Sequence, residues 1–308
     1  MTNVRVAIVQ SEVAADLAAG LDRTRSLTKK AAAGGAQLVA FPETWLPGYP
    51  SWLDHCRDAA LWNHPPVKAE FARMADNSVV VAGDSGRALG GIAREAGVTL
   101  VVGAVERVDS GPGRGTLYNA LLTYTPDGAL GNHHRKLMPT YTERMVWGAG
   151  DANGLVAVDT PAGRVGGLLC WEHWMPLARQ ALHDSGEDIH VALWPTVHEM
   201  HQVASRHYAF EGRCFVLAAG SLLRMSALPR GMDVHESHKG EWALRGGSMI
   251  VAPDGRVLAG PVLEREDIVA ADLDLSMIRE ESMTLDVTGH YSRPDSFEFR
   301  AIRHPRAS

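Results

Sequence analysis

The chain has 308 residues, 45% of them apolar and 21% charged, and sets 30 Lys and Arg against 36 Asp and Glu for a formal charge of −6. That composition fills a sizeable core and excludes a disordered chain. The lack of a basic excess argues against nucleic acid as a partner, and no apolar run approaches the ~20 residues that cross a bilayer.

In chain order, residues 4–9 form a short strand-like run, entered without the basic start and cleavage site of a leader, which gives a cytoplasmic expectation. Leu17, Leu21 and Ala31 then fall on or near one helical face that ends at Gly34-Gly35, behind Lys29 and Lys30. The alternation recurs as a strand over 37–41, a helix over 84–96 and a strand over 98–106. Residues 118–136 carry hairpin chemistry at Pro126-Asp127-Gly128. A second such turn, Pro253-Asp254-Gly255, joins 248–252 to 256–260, so each half of the chain contributes one hairpin and the halves are expected to be similar.

Between the hairpins, a strand over 165–169 ends at Cys170, a helix begins near Pro176, and 188–194 resumes as strand. A helix over 198–213 leads into a strand over 214–223. Residues 224–241, polar and interrupted by Pro229 and Gly231, read as a surface excursion. No low-complexity linker divides the chain, so one domain of mixed α and β layers is expected over 1–308, with 289–308 as a C-terminal extension.

Three cysteines, Cys56, Cys170 and Cys214, cannot all pair and lack a zinc spacing, so each reads as a reduced thiol. Cys170 stands out because it closes a strand just before a helix, where free backbone N–H groups meet a thiolate. Glu43, at the exit of an earlier strand, is placed to act as a general base, and Lys136 ends another strand. Taken singly, each has a plain alternative: a buried structural thiol, a solvated loop acid and a basic surface edge. Glu172 and His173 invite a Cys-His reading, but neighbours on a tight turn point apart. His198, Glu199 and His201 lack the i, i+4 histidine spacing of zinc proteases. No metal or cofactor is therefore expected.

The words around the three residues change the weighing. They are Phe41-Pro42-Glu43-Thr44-Trp45-Leu46-Pro47-Gly48-Tyr49-Pro50, His134-Arg135-Lys136-Leu137-Met138-Pro139-Thr140 and Cys170-Trp171-Glu172-His173-Trp174-Met175-Pro176-Leu177. Together with Glu143-Arg144-Met145-Val146-Trp147-Gly148, Gly246-Gly247-Ser248-Met249-Ile250-Val251 and Gly289-His290-Tyr291-Ser292-Arg293-Pro294-Asp295, they resemble the signature segments of the nitrilase superfamily, closest to its nitrilase branch. The resemblance implies an α-β-β-α sandwich, hydrolysis of a carbon–nitrogen bond, a triad on Glu43, Lys136 and Cys170, and a second glutamate at Glu143. Met138 and Tyr141 depart from the more polar neighbours of many relatives, which bears on substrate preference. Only 13 residues follow Asp295, against the longer tail of filament-forming members. A long filament is thus not expected, while the resemblance implies a homodimer, or a higher homo-oligomer, built on the family's shared interface.

A free thiol with a pKa of about 8.5 is only a few per cent thiolate at neutral pH, so something must take its proton. An ammonium about 4 Å away is worth ~4 kcal/mol at an effective dielectric of 20, but two nearby glutamates oppose that help. Glu43 is therefore assigned as the base, and Lys136 with the Trp171 N–H as the stabilisers of charge on the substrate. Glu143 would orient Lys136 or water. Trp147, Trp171, Trp174 and Pro195 lie near enough to these words to wall a pocket, which suggests an aryl or arylaliphatic nitrile as the small-molecule partner, with water. An amidase of the same superfamily or a cyanide-degrading enzyme would use the same triad.

Overall fold

The computed structural model describes residues 3–235 and 240–303. Its first half runs β1 (Asn3–Gln10), α1 (Leu17–Ala33), β2 (Leu38–Leu46), α2 (Trp52–His55), α3 (Pro65–Asp76), α4 (Asp84–Ala96), β3 (Thr99–Arg107), β4 (Leu117–Tyr124) and β5 (Leu130–Arg135). The second runs β6 (Val158–Thr160), β7 (Gly163–Leu169), α5 (Pro176–His183), β8 (Ile189–Trp194), α6 (Glu199–Gly212), β9 (Phe215–Gly220), β10 (Leu222–Arg224), β11 (Trp242–Val251), β12 (Val257–Leu263), β13 (Asp267–Asp274) and α7 (Ser276–Ser282).

One sheet has the order β13-β1-β2-β3-β4-β5, and the other β10-β11-β9-β8-β7-β6 with β12 also on β11. The two halves share a plan: β1, β2 and β3 are parallel and feed the antiparallel β4 and β5. In the same way β7, β8 and β9 are parallel and feed the antiparallel β11 and β12. The end of the chain returns to its start, because β13 pairs antiparallel with β1, Asn3 opposite Asp274.

Side chains that alternate along each strand decide the layers. Val4, Val6 and Ile8 of β1 meet Ile189, Val191 and Leu193 of β8 in the core between the sheets. The opposite face of β1, Ala7 and Val9, packs with Leu89, Ile92 and Ala93 of α4. Ala192 and Trp194 of β8 pack instead with Ala181 and Leu182 of α5 and Tyr208 of α6. The result is the four-layer α-β-β-α sandwich, in which central strands such as β2, β8 and β9 are buried on both faces. Among the described residues no helix is long and apolar enough to cross a membrane.

Several elements depart from the sequence reading. The expected strand over 214–223 is two, β9 and β10, divided at Ser221. Helix α3, which the sequence reading does not name, buries Met74 in a cluster with Trp52 and Leu53 and packs Val67 and Ala75 partly against the same cluster. Within 224–241, Arg224 still pairs opposite Trp242, Leu228 and Met232 are buried, and Val234 bridges to Cys56. Residues 236–239 of that segment, and 304–308 of the C-terminal extension, lie outside the described residues.

Candidate active site

Glu43 owes its position to a break in the β2 ladder. Phe41 faces Val102 and Leu46 faces Ala104, so residues 42–45 bulge opposite the single residue Gly103. A Cβ on Gly103 would lie 2.2 Å from the Pro42 carbonyl oxygen, so only glycine admits the bulge. Thr44, inside it, has φ 48°. The bulge turns Glu43 inward, where it is fully buried.

Lys136 follows the last residue of β5, and its backbone N–H donates to the Asn119 carbonyl of β4 at 2.8 Å. The Asn119 side chain also donates to Glu43 Oε1 at 2.5 Å, so one residue of β4 fixes both partners. Lys136 Nζ donates to Glu43 Oε1 at 2.9 Å and to Glu143 Oε2 and Oε1 at 2.8 and 3.1 Å. Glu143 lies on a 3-10 turn over Tyr141–Met145 and accepts further bonds from the Thr140 N–H at 2.7 Å and the Tyr49 hydroxyl at 2.9 Å. Its carboxylate is thus saturated, with Lys136 among its donors.

Cys170 begins a 3-10 turn, Cys170–Trp174, immediately after β7, with φ 50°. The turn separates it from α5, so the thiol stands on a tight elbow rather than on the first turn of a long helix. A left-handed non-glycine residue stores strain that the surroundings must hold. Glu172 supplies one such hold, accepting from the Leu169 N–H at 2.8 Å, the Leu137 N–H at 2.7 Å and the His134 ring at 2.9 Å. It ties the cysteine turn to the strand exit that carries Lys136. The His173 ring points at the Cys170 carbonyl, 2.7 Å away, and not at the thiol, so a Cys-His pair does not form.

These local constraints converge. One oxygen of Glu43, one of Glu143 and the Cys170 sulfur lie within 4.8 Å of one another. This trio is the one group of possible metal donors found among the described residues, and the Lys136 ammonium already supplies a cation to it. His201 instead stacks on Trp194 and points at the Thr196 carbonyl.

Burial raises the Glu43 carboxyl to about 7, with Lys136 opposing and Glu143 adding to the rise. The Cys170 thiol is pushed well above its ordinary value, first by burial and then by Glu43, against the help of Lys136 and the Trp171 N–H. Burial alone would lower Lys136, but the surrounding Glu43, Cys170 and Glu143 reverse this and hold it charged. The resting site therefore holds a thiol, not a thiolate. Glu43 Oε2 is buried and accepts no hydrogen bond from the protein, which leaves a free lone pair on the carboxylate that neighbours the thiol.

Above Cys170 opens a cavity of about 590 Å³, lined by Tyr49, Thr140, Glu143, Trp171, Pro195 and Trp242 among others. Of the sequence-derived wall residues, Trp171 and Pro195 line it. Trp174 borders a second hollow of about 390 Å³ on the far side of Trp171. Trp147 is buried behind Tyr49, ring centroids 5.9 Å apart, in the cluster of Trp52, Leu53 and Cys56. Asn119 and His134 hold Glu43 and Glu172, and Tyr49 both holds Glu143 and lines the cavity; sequence reasoning singles out none of the three.

An inward carboxylate, a buried ammonium and a thiol on a strained elbow thus meet beside the cavity on a two-sheet sandwich. The profile for carbon-nitrogen hydrolases matches residues 5–281. The chain is 39% identical over 312 residues to an aliphatic nitrilase of Sinorhizobium fredii, covering all of this chain and 98% of that protein. It is 37% identical over 314 residues to nitrilase 1 of Arabidopsis thaliana, covering all of this chain and 89% of the relative. A crystal structure of a carbon-nitrogen hydrolase from Helicobacter pylori shares the fold at TM-score 0.69 and 17% identity, over 96% of this chain and 97% of the other. The chain belongs to the carbon-nitrogen hydrolase family, within the nitrilase superfamily, and is a hydrolase of carbon–nitrogen bonds.

Proposed function

We propose that the protein is a nitrilase that converts an aryl or arylaliphatic nitrile to its carboxylic acid and ammonia. The observation that carries this reading is the convergence of Glu43, its Oε2 free of hydrogen bonds, with the buried Cys170 sulfur beside the Lys136 charge. As the sulfur attacks the nitrile carbon, its proton passes to Glu43, so no isolated thiolate forms in a low-dielectric site. The proton then goes to the substrate nitrogen and gives a thioimidate.

Water, activated by Glu43, adds to the thioimidate carbon. The carbon–nitrogen bond breaks, ammonia leaves, and an acyl thioester remains on Cys170. A second water cleaves the carbon–sulfur bond and restores the thiol. Lys136, with the Trp171 N–H, balances charge developing on the substrate nitrogen and later oxygen. Glu43, Lys136 and Cys170 are the catalytic residues of this scheme, Glu143 holds Lys136, and Trp171 and Pro195 contact substrate.

A cavity of about 590 Å³ with Tyr49, Trp171 and Trp242 in its walls suits an aromatic side group and is far larger than cyanide requires. The partly exposed apolar residues Leu177, Met200, Val203 and Phe210 on α5 and α6 support pairing of two copies into a homodimer. The test is a panel of arylaliphatic, aryl and aliphatic nitriles, their amides and cyanide, assayed for ammonia and amide. Acid and ammonia from arylaliphatic nitriles are expected. Turnover of the amides without the nitriles, or of aliphatic nitriles alone, would overturn the activity or the substrate class respectively.

A further inference from the structure

Beneath the cysteine elbow a line of buried polar side chains leads away from the cavity. The His173 Nδ1 is 2.7 Å from the Cys170 carbonyl oxygen, and its Nε2 is 3.0 Å from the His190 Nε2. The His190 Nδ1 is 2.9 Å from Glu187 Oε2, and Glu187 Oε1 accepts from the Tyr208 hydroxyl. All four side chains are buried, in the packing between α5, α6 and β8. Core filling does not need such a chain, since buried polar groups are costly unless satisfied.

A carbonyl oxygen only accepts, which fixes the direction of the whole line. His173 must carry its proton on Nδ1 and, being neutral, accept on Nε2. His190 must then donate from Nε2 and accept on Nδ1, so the proton between His190 and Glu187 resides on the carboxyl. The electrostatics agree: burial keeps both imidazoles well below their ordinary range and lifts Glu187 to about 7. The groups facing Glu187 are His190 from β8, Tyr208 from α6 and His183 from α5, whose Nδ1 is 3.7 Å away. Cys214 adds a further titratable neighbour.

The carbonyl that receives this line belongs to the same planar peptide as the Trp171 N–H, which faces the Cys170 sulfur. Donation to the oxygen of a peptide polarises its N–H, as in any chain of cooperative hydrogen bonds. We propose that Glu187, His190 and His173 are positioning residues that hold the elbow and polarise the Cys170–Trp171 peptide, strengthening the N–H that receives the charge of the reaction. The proposal rests on Cys170 being the nucleophile. Its effect is felt where charge develops, so it should lower kcat and leave KM in place.

The experiment has two arms. Imidazole ¹⁵N NMR of the wild-type enzyme below pH 7 reads the tautomers without substrate, so it stands apart from the nitrile reading, which wild-type ammonia release tests. The Nδ1–H form of His173 and the Nε2–H form of His190 are expected, and either opposite tautomer overturns the chain. In the second arm, His173→Leu is expected to lower kcat ~10-fold at constant KM, less than the ~10²–10³ seen when an oxyanion donor is deleted outright. His173→Asn returns a donor to the carbonyl and should recover most of that loss, as Glu187→Gln should relative to Glu187→Ala. Equal losses in Leu and Asn variants, or a change in KM alone, would refute the role.

Discussion

Replacing Glu43 by Gln separates the base from the scaffold, because the amide oxygen can still accept from Asn119 and Lys136 while an N–H takes the place of the free Oε2. With Glu43 at about 7, the wild-type base is roughly a tenth ionised at pH 6 and nine-tenths at pH 8. Alkylation of Cys170 by iodoacetamide, followed by peptide mass spectrometry, should therefore rise about tenfold per pH unit below 7 and level off above it. The variant should react and turn over ~10²–10⁴-fold more slowly, with its profile displaced toward the raised range of the thiol itself.

Stability should move the other way. Below the ordinary value of 4.5 the carboxyl is protonated in folded and unfolded chains alike, and its full contribution is present. As pH climbs toward 7 the unfolded chain releases its proton first, and by the time the folded group ionises about 3 kcal/mol has drained away. Glu43→Gln cannot ionise, so it should melt level with wild type at pH 4.5 and above it at pH 8. An alkylation profile identical to wild type, or a variant destabilised equally at both pH values, would refute the reasoning.

Gly103→Ala forces the Pro42 carbonyl away from a Cβ 2.2 Å distant, so activity should fall with the displaced Glu43 and overpacking should cost ~1–3 kcal/mol in urea unfolding. Glu172→Ala leaves His134 and two backbone N–H groups unpaired in the interior and should destabilise by ~3–5 kcal/mol, measured as a lowered denaturation midpoint. Trp171→Ala, at the cavity wall, should raise KM for an arylaliphatic nitrile with little change in melting. Trp147→Ala, in the cluster behind Tyr49, should do the reverse and cost ~3–5 kcal/mol of stability.

The parallel strands and helix α4 were legible because apolar residues recur at clear periods and glycines mark the ends. Both hairpins were legible from their Pro-Asp-Gly turns. What stayed hidden depends on contacts distant in sequence: β13 is defined by pairing with β1 at the other end of the chain, and α3 by Met74, Val67 and Ala75 meeting the cluster of Trp52, Leu53 and Trp147. At the site, the signature words place Glu43, Lys136, Glu143 and Cys170 by resemblance, and the structure brings them together. Asn119 lies outside the signature words, and an amide that serves by touching another side chain leaves no periodic trace; Tyr49 stands inside one of them, but nothing there shows its bond to Glu143. The tryptophans mislead for a related reason: closeness to a motif along the chain says nothing of the face on which a ring emerges, which sends Trp147 into the core and Trp174 to a neighbouring hollow.

The most direct trial is to quench the enzyme during turnover of an arylaliphatic nitrile and read the covalent species by peptide mass spectrometry. An acyl or imidate mass on the peptide bearing Cys170, absent from Cys170→Ala together with all ammonia release, is the expected result. Continued nitrile hydrolysis by Cys170→Ala, or an adduct on any other residue, would contradict it.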